Sequence, residues 1–281
     1  MTPKDHTILS ALAALVEAMR AGGPDPASLP DDGYDPGFMS RAAPLLEFLY
    51  ASYFRVRLLG IENVPAEGPA LLVANHSGGL PYDGAMLIYA VHRDHPAHRA
   101  LRTLVANFVF EASWMSHVVA RIGGVRASTD NALRLLGSGH LVGVFPEGLK
   151  GVGKTFRERY RLKYFGRGGF VRLARRARVP VVPVAIVGAE EIHPLLGKMT
   201  TLAAPLGIPY IPITPTFPLL GPLGLLPVPT KWTIQMGVPI SMPAEDDPAE
   251  GTTQEIAERV RGRIDTMIAG LLAERRSILF G

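Results

Sequence analysis

The sequence predicts an α/β fold. We expect one domain with a central, largely parallel but mixed sheet flanked by helices and preceded by N-terminal helices. Two observations carry this. From residue 54 onward, short apolar runs of strand length alternate with helix-period stretches, the pattern of a parallel sheet with helical crossovers. The 281 residues, 47% of them apolar, suffice for one large core, and no internal repeat runs through them.

Taken in order, Asp5–Arg20 reads as a short helix and Gly22–Gly37, rich in Gly, Pro and Asp, as a linker. Ala42, Leu45, Leu46, Leu49 and Tyr53 follow at helical spacing, and Pro44 places the start of that helix's regular part nearby. Strands are expected at Phe54–Leu59, Ala70–Ala74, Leu101–Val105, Leu141–Phe145, Val181–Val187 and Trp232–Met236. Helices fall between them at Gly84–Val91, Thr129–Leu136 and Phe170–Arg178. A T-x-x-E capping box (Thr252, Glu255) opens a last helix, Thr252–Arg276, striped by Ile256, Val260, Ile264, Met267, Ile268 and Leu271. The chain thus divides into residues 1–53, N-terminal helices and a linker able to associate with a membrane, and residues 54–281, the domain with its C-terminal helix.

Composition narrows the chemistry. Cysteine is absent, which excludes disulfides, Cys-ligated zinc, iron–sulfur clusters and a thiol nucleophile. The bias of 23 Arg over 6 Lys is that of a GC-rich bacterial genome. The net charge of +4 hides a concentration: Lys150–Arg178 holds eleven basic residues against one acid, Glu158. Such a field suits an anionic partner, whether phosphate groups, a coenzyme A-like donor, acidic headgroups or nucleic acid; a solvated basic face is the plainer reading.

No spanning helix is expected. Thr7–Val16 gives only ten uncharged residues, where a span needs about 20. Met199–Thr230 runs 32 residues without a charge but contains eight prolines, each lacking an amide donor. The expectation is a peripheral protein on the cytoplasmic face of the membrane. Residues 199–230 either insert into lipid or pack back on the core.

Three constellations can carry chemistry. Strand Leu71–Ala74 runs into Asn75-His76, with Asp83 following at the next helix start. A carboxylate can fix an imidazole tautomer and leave the other ring nitrogen to take a proton; equally, His76 can be a loop residue and Asp83 an N-cap. Glu147 in Val144-Phe145-Pro146-Glu147-Gly148 lies at a strand's carboxyl end, where open α/β sheets bind ligands. Gly123-Gly124-Val125-Arg126, before a helix capped by Ser128, suits either a phosphate or a surface salt bridge.

Together these segments resemble a known family. Asn75-His76…Asp83, Gly123…Arg126, Phe145-Pro146-Glu147-Gly148 and Val179-Pro180-Val181-Val182-Pro183-Val184 occur in the order and approximate spacing of four blocks. Those blocks mark the glycerolipid acyltransferases, the lysophosphatidic acid (1-acylglycerol-3-phosphate) acyltransferase family, and the resemblance covers about Phe54 to Ile240. One departure is visible: six residues, Ser77 to Tyr82, separate the His from the Asp, where the family usually has four.

The resemblance implies that His76 deprotonates an acceptor hydroxyl, which attacks the thioester of acyl-CoA or acyl-carrier protein directly, with Asp83 orienting the imidazole. The lack of cysteine and of a G-x-S-x-G elbow agrees with transfer without an enzyme nucleophile. It implies that Arg126, Glu147 and Gly148 hold the acceptor's glycerol phosphate, and that Asn75, Pro146 and Pro183 shape the site. Lys150 and Lys154 are further phosphate ligands by their position in the basic loop. The acceptor is a lysophospholipid, or alternatively a neutral mono- or diacylglycerol. No metal and no cofactor are implied beyond the acyl thioester co-substrate, and no nucleic-acid partner.

Other readings fit less well. Gly148 to Thr155 matches the phosphate-loop pattern G-x-x-x-x-G-K-[ST], but Pro146 and Glu147 separate it from its strand. The later strand Val181–Val187 ends in Gly188-Ala189-Glu190-Glu191, without an Asp for magnesium. His92, His95 and His98 are interrupted by Arg93 and Pro96 and read as a solvated loop. Tyr160, Tyr164, Phe165 and Phe170 interleave with basic residues as base-stacking platforms do, yet Phe170, Leu173, Ala174 and Ala177 form a core stripe that leaves Arg172, Arg175 and Arg176 outside.

Overall fold

The computed structural model describes residues 33–77, 82–110, 113–148, 153–163, 165, 168–201, 203, 210–242 and 251–281. The expected helix Asp5–Arg20 and most of the linker lie outside the described residues. The linker's end is corrected by a helix, α1 (Pro36–Glu47). The Asp35 side chain accepts from the Phe38 amide at 2.9 Å, and Pro36 occupies the first turn, where its missing donor costs nothing. Pro44 therefore lies inside the helix rather than at its start, and the chain continues through a π-helical turn, Phe48–Tyr53.

The remaining elements follow in chain order. They are β1 (Arg57–Leu59), β2 (Ala70–Ala74), α2 (Tyr82–Asp94), β3 (Leu101–Val105), α3 (Ser113–Ile122), β4 (Gly124–Arg126), α4 (Thr129–Gly137), β5 (Leu141–Val144) and α5 (Gly169–Ala177). Then come β6 (Val181–Val187), β7 (Gly197–Met199), β8 (Ile211–Ile213), β9 (Thr233–Met236) and α6 (Thr253–Glu274). Helix α3, strand β4 and the β7–β8 hairpin were not legible in the apolar pattern: β4, β7 and β8 have three residues each, too few to show a period.

Seven strands form one sheet in the order β1-β9-β6-β2-β5-β3-β4. Only the β6–β9 pair is antiparallel. Strands β6, β2, β5, β3 and β4 therefore all point their carboxyl ends to one edge. The strands at the centre are buried on both faces, which is why they read as unbroken apolar runs. On one face Ala70, Leu72 and Ala74 join Val182, Val184 and Ile186 against α1 and α2; on the other Leu71 and Val73 join Val181, Ala185 and Val187 against α4, α5 and α6. Phe38, Met39 and Leu46 of α1 are part of that first core. Helix α5 keeps its Phe170, Leu173 and Ala174 stripe, but Arg175 is buried rather than outside, because α4 and α6 both pack on this helix.

Candidate active site

The carboxyl edge gathers the chain's chemistry. Strand β2 ends in Asn75-His76, β5 runs into Phe145-Pro146-Glu147, β6 into Gly188 to Glu191, and β4 ends on Arg126. Helix α2 opens beside β2 and carries Asp83 in its first turn.

His76 and Asp83 meet. Imidazole Nδ1 lies 2.7 Å from Oδ2 of Asp83, across the six-residue spacing. Ser77 closes the loop onto the same oxygen: its amide donates at 2.9 Å and its hydroxyl at 3.1 Å. The Gly84 amide donates to Oδ1 at 2.8 Å. Asp83 is 1% exposed, whereas the His76 side chain keeps 19%. With Nδ1 as donor to the carboxylate, Nε2 is the nitrogen left to exchange a proton. The Phe145 ring lies 4.7 Å from the imidazole, centroid to centroid. Burial alone lowers the His76 pKa, but the Asp83 carboxylate, supported by Glu147, outweighs it and holds the imidazole above its ordinary value.

Asn75 is fully buried and pairs twice with the Ile186 backbone, Nδ2 to the carbonyl at 2.9 Å and Oδ1 from the amide at 2.7 Å. Pro183 stands opposite Val73 on the neighbouring strand, and its carbonyl accepts from Gly237 at 2.7 Å. Pro146 lies in the turn after β5. Arg126 is exposed on the edge strand, its guanidinium 4.9 Å above the Phe110 ring. Three strand spacings separate β4 from β2, about 14 Å at roughly 4.8 Å each. Gly148 is exposed at φ +53°, a backbone setting open to glycine, and Lys150 lies outside the described residues.

Glu147 and Lys154 are placed differently from the expected phosphate contacts. The structure turns both inward. Lys154 Nζ lies 3.1 Å from Glu147 Oε2 and 3.0 Å from Glu190 Oε1, and all three side chains are at most 3% exposed. The free sides of the carboxylates hold backbone: Glu147 accepts from the amides of His76 at 3.2 Å and Lys163 at 3.0 Å, and Glu190 from that of Tyr160 at 2.9 Å. Burial pushes the Glu190 carboxyl above its ordinary value against the pull of Lys154. The phosphate-loop reading loses its lysine to this cluster, and Thr155 binds Glu158 through its amide at 3.1 Å and its hydroxyl at 3.0 Å.

Tyr160 and Glu191 extend the network. The Tyr160 hydroxyl accepts from the Gly188 amide at 2.9 Å, and Arg275 reaches Glu191 at 2.6 Å. Arg275 was missed in the sequence, and Tyr160, Glu190 and Glu191 were noted there only for the base-stacking and magnesium readings, not as members of a buried network. The usable signal was an adjacent acid pair directly after a wholly apolar strand, the place where a buried carboxylate requires a partner.

The solvated-loop reading of His92, His95 and His98 is corrected, since His92 lies in the last turn of α2 and His95 packs inside. His95 is buried, with Nε2 3.0 Å from the Val64 carbonyl and Nδ1 accepting from Ala97 at 3.1 Å. No group of three or more metal-ligating side chains occurs among the described residues. Phe165 and Phe170 pack edge to face in the core, 5.8 Å apart, rather than facing outward as base-stacking platforms.

Comparison with known proteins finds the chain similar to several. An acyltransferase family model matches residues 55–187. An uncharacterized protein of Mycobacterium tuberculosis is 48% identical over 286 residues, covering 100% of this chain and 79% of that one. A Bos taurus protein described as a DGAT1/2-independent enzyme synthesizing storage lipids is 26% identical over 214 residues, 74% of this chain and 58% of that one. The crystal structure of the 1-acyl-sn-glycerophosphate (LPA) acyltransferase PlsC from Thermotoga maritima aligns with a TM-score of 0.56 at 16% identity, covering 96% of this chain and 91% of that one. The last similarity is one of fold.

Proposed function

The chain belongs to the glycerolipid acyltransferase family, and on that premise we propose that it moves a fatty acyl group from acyl-CoA or acyl-carrier protein to a hydroxyl of a lysophosphatidate-like lysophospholipid. The observation that carries this reading is the His76–Asp83 pair, 2.7 Å apart at the sheet's carboxyl edge, with the imidazole half sheltered and the carboxylate buried. His76 Nε2 takes the proton of the acceptor hydroxyl as its oxygen attacks the thioester carbonyl. The tetrahedral adduct collapses, the C–S bond breaks, and the imidazolium returns the proton to the departing thiolate. Asp83 stabilises the imidazolium between these steps. Asn75 and Glu147 hold the backbone on which the histidine rides, and Arg126 binds the acceptor's phosphate.

A second acceptor class has its own support: the storage-lipid relative favours a neutral mono- or diacylglycerol. Either acceptor keeps its chains in a bilayer, so the protein works at a membrane surface. The exposed Arg157, Arg161, Arg172, Arg176 and Arg178 supply attraction to acidic headgroups. Among the described residues no helix is long and apolar enough to cross a membrane.

The test is a mass-spectrometric screen of the purified protein. Acyl-CoA and acyl-carrier protein are paired with lysophosphatidate, other lysolipids, monoacylglycerol and diacylglycerol. New ester on lysophosphatidate supports the first reading, ester on neutral acceptors alone the second, and no ester on any acceptor overturns both.

A further inference from the structure

The longest uncharged stretch of the sequence ends in an exposed apolar turn. Residues 210–230 contain no charged side chain. Leu219 is 85% exposed, Leu220 58%, Leu223 69% and Leu226 62%, and Leu196, held beside the hairpin by its amide bond to Ile213, is 63% exposed. One or two exposed leucines are ordinary on a surface; five on one hairpin end are not.

The turn is built to leave water. The amides of Leu220, Gly221 and Leu226 donate to carbonyls within it at 2.8, 2.9 and 3.2 Å. Thr214 Oγ1 accepts from the Phe217 amide at 2.9 Å, and the Thr216 hydroxyl donates to the Gly224 carbonyl at 3.0 Å. Gly224 lets the strands of the turn close, since a Cβ there would meet the Thr216 carbonyl at 2.5 Å. Prolines 215, 218, 222, 227 and 229 bring no amide at all. Each donor bonded internally or absent lowers the cost of moving the segment into an apolar phase.

Its root has the opposite chemistry. Arg55 donates to the Pro229 carbonyl at 2.7 Å, and Lys231 follows the turn and binds the Arg55 carbonyl. Leucines at the tip and cations at the base repeat the order of a lipid leaflet, acyl region inside and phosphates outside. A second protein copy has no such layering. The C-terminal end of the turn also reaches the candidate site: the His193 ring nitrogen Nε2 lies 2.8 Å from the Leu225 carbonyl, and that ring is 6.2 Å from Tyr82, the neighbour of Asp83.

We propose that the Leu219–Leu226 turn is a lipid-inserting wedge, its leucines entering the acyl boundary of a bilayer while Arg55 and Lys231 meet headgroup phosphates. The wedge sets the carboxyl edge of the sheet against the membrane. Only this last consequence rests on the acyltransferase reading; membrane insertion itself does not.

The experiment uses the full chain and vesicles of phosphatidylcholine with phosphatidylglycerol. Wild type floats with the vesicles at low salt and retains a bound fraction at high salt. Changing Leu219→Ser with Leu223→Ser lowers the salt-resistant partition coefficient by about ten- to a hundredfold and leaves the melting temperature unchanged. Transfer to a vesicle-borne acceptor falls in parallel, while transfer to a short-chain, water-soluble acceptor holds. As an independent readout, Leu219→Trp emission shifts to the blue on vesicle addition and is quenched by brominated acyl chains. The proposal is overturned if the double variant floats like wild type, if it melts early as a core residue pair does, or if Leu219→Trp emission ignores lipid. It is likewise overturned if the substitutions split a dimer without changing flotation. Absence of transfer to either acceptor sinks the acyltransferase reading and leaves flotation to decide the wedge.

Discussion

The Asn75 side chain continues the sheet where the β2 main chain leaves it, pairing with both the carbonyl and the amide of Ile186 at 2.9 and 2.7 Å. The residue before His76 is thereby clamped to the central strand. Asn75→Ala leaves two buried backbone groups without partners, at about 1–3 kcal/mol each. Urea denaturation is expected to show a loss of about 2–4 kcal/mol with an unchanged m-value. A loss below about 1 kcal/mol means the clamp is dispensable.

Lys154 separates two accounts of the basic loop. Buried between Glu147 and Glu190, it neutralises carboxylates that themselves hold the His76, Lys163 and Tyr160 amides. Lys154→Met is expected to cost about 3–5 kcal/mol, the usual loss when one partner of a buried pair is removed. The deficit shrinks as pH falls, because a buried carboxyl with a raised pKa, as in Glu190, takes up its proton in the folded state first. A variant that keeps wild-type stability and only raises KM for a phosphate-bearing acceptor restores the phosphate-ligand role.

Arg126 tests the acceptor class. Its exposed guanidinium, steadied on Phe110, can grip a phosphate bidentately, which lysine cannot reproduce. Arg126→Lys is expected to raise KM about tenfold for lysophosphatidate, with kcat nearly kept, and to leave monoacylglycerol kinetics unchanged. Equal kinetics on both acceptors removes Arg126 from phosphate recognition.

The layers of this fold were legible because β2 and β6 are apolar on both faces and the helices between strands carry stripes of their own. His76 and Asp83 were legible as residue types at a strand end and a helix start. What was not legible is direction. Nothing local in Phe145-Pro146-Glu147-Gly148 tells that Glu147 turns under the sheet edge, because its partners Lys154 and Glu190 come from two other segments. The helix start at Pro36 was hidden for a similar reason. Asp35 acts there both as a cap and as the partner of Arg121 at 2.7 Å, a contact between residues 86 positions apart. Leucines 219 to 226 looked alike whether inserted or packed, and only the structure shows that these side chains are exposed rather than packed on the core.

The most direct test of the central claim is the pH profile of kcat/KM for acyl transfer by wild type and by His76→Ala, with circular dichroism as the check on folding. A base held above the ordinary histidine value of 6.5 by Asp83 must lose its proton before it works. Wild-type kcat/KM is therefore expected to rise with pH through a limb above 6.5, and Asp83→Asn to move that limb downward while impairing the rate. In His76→Ala the limb vanishes and kcat/KM falls by about 10²–10⁴-fold, with the dichroism spectrum unchanged. A folded His76→Ala protein that retains most of the wild-type rate, with the limb still present, contradicts the account.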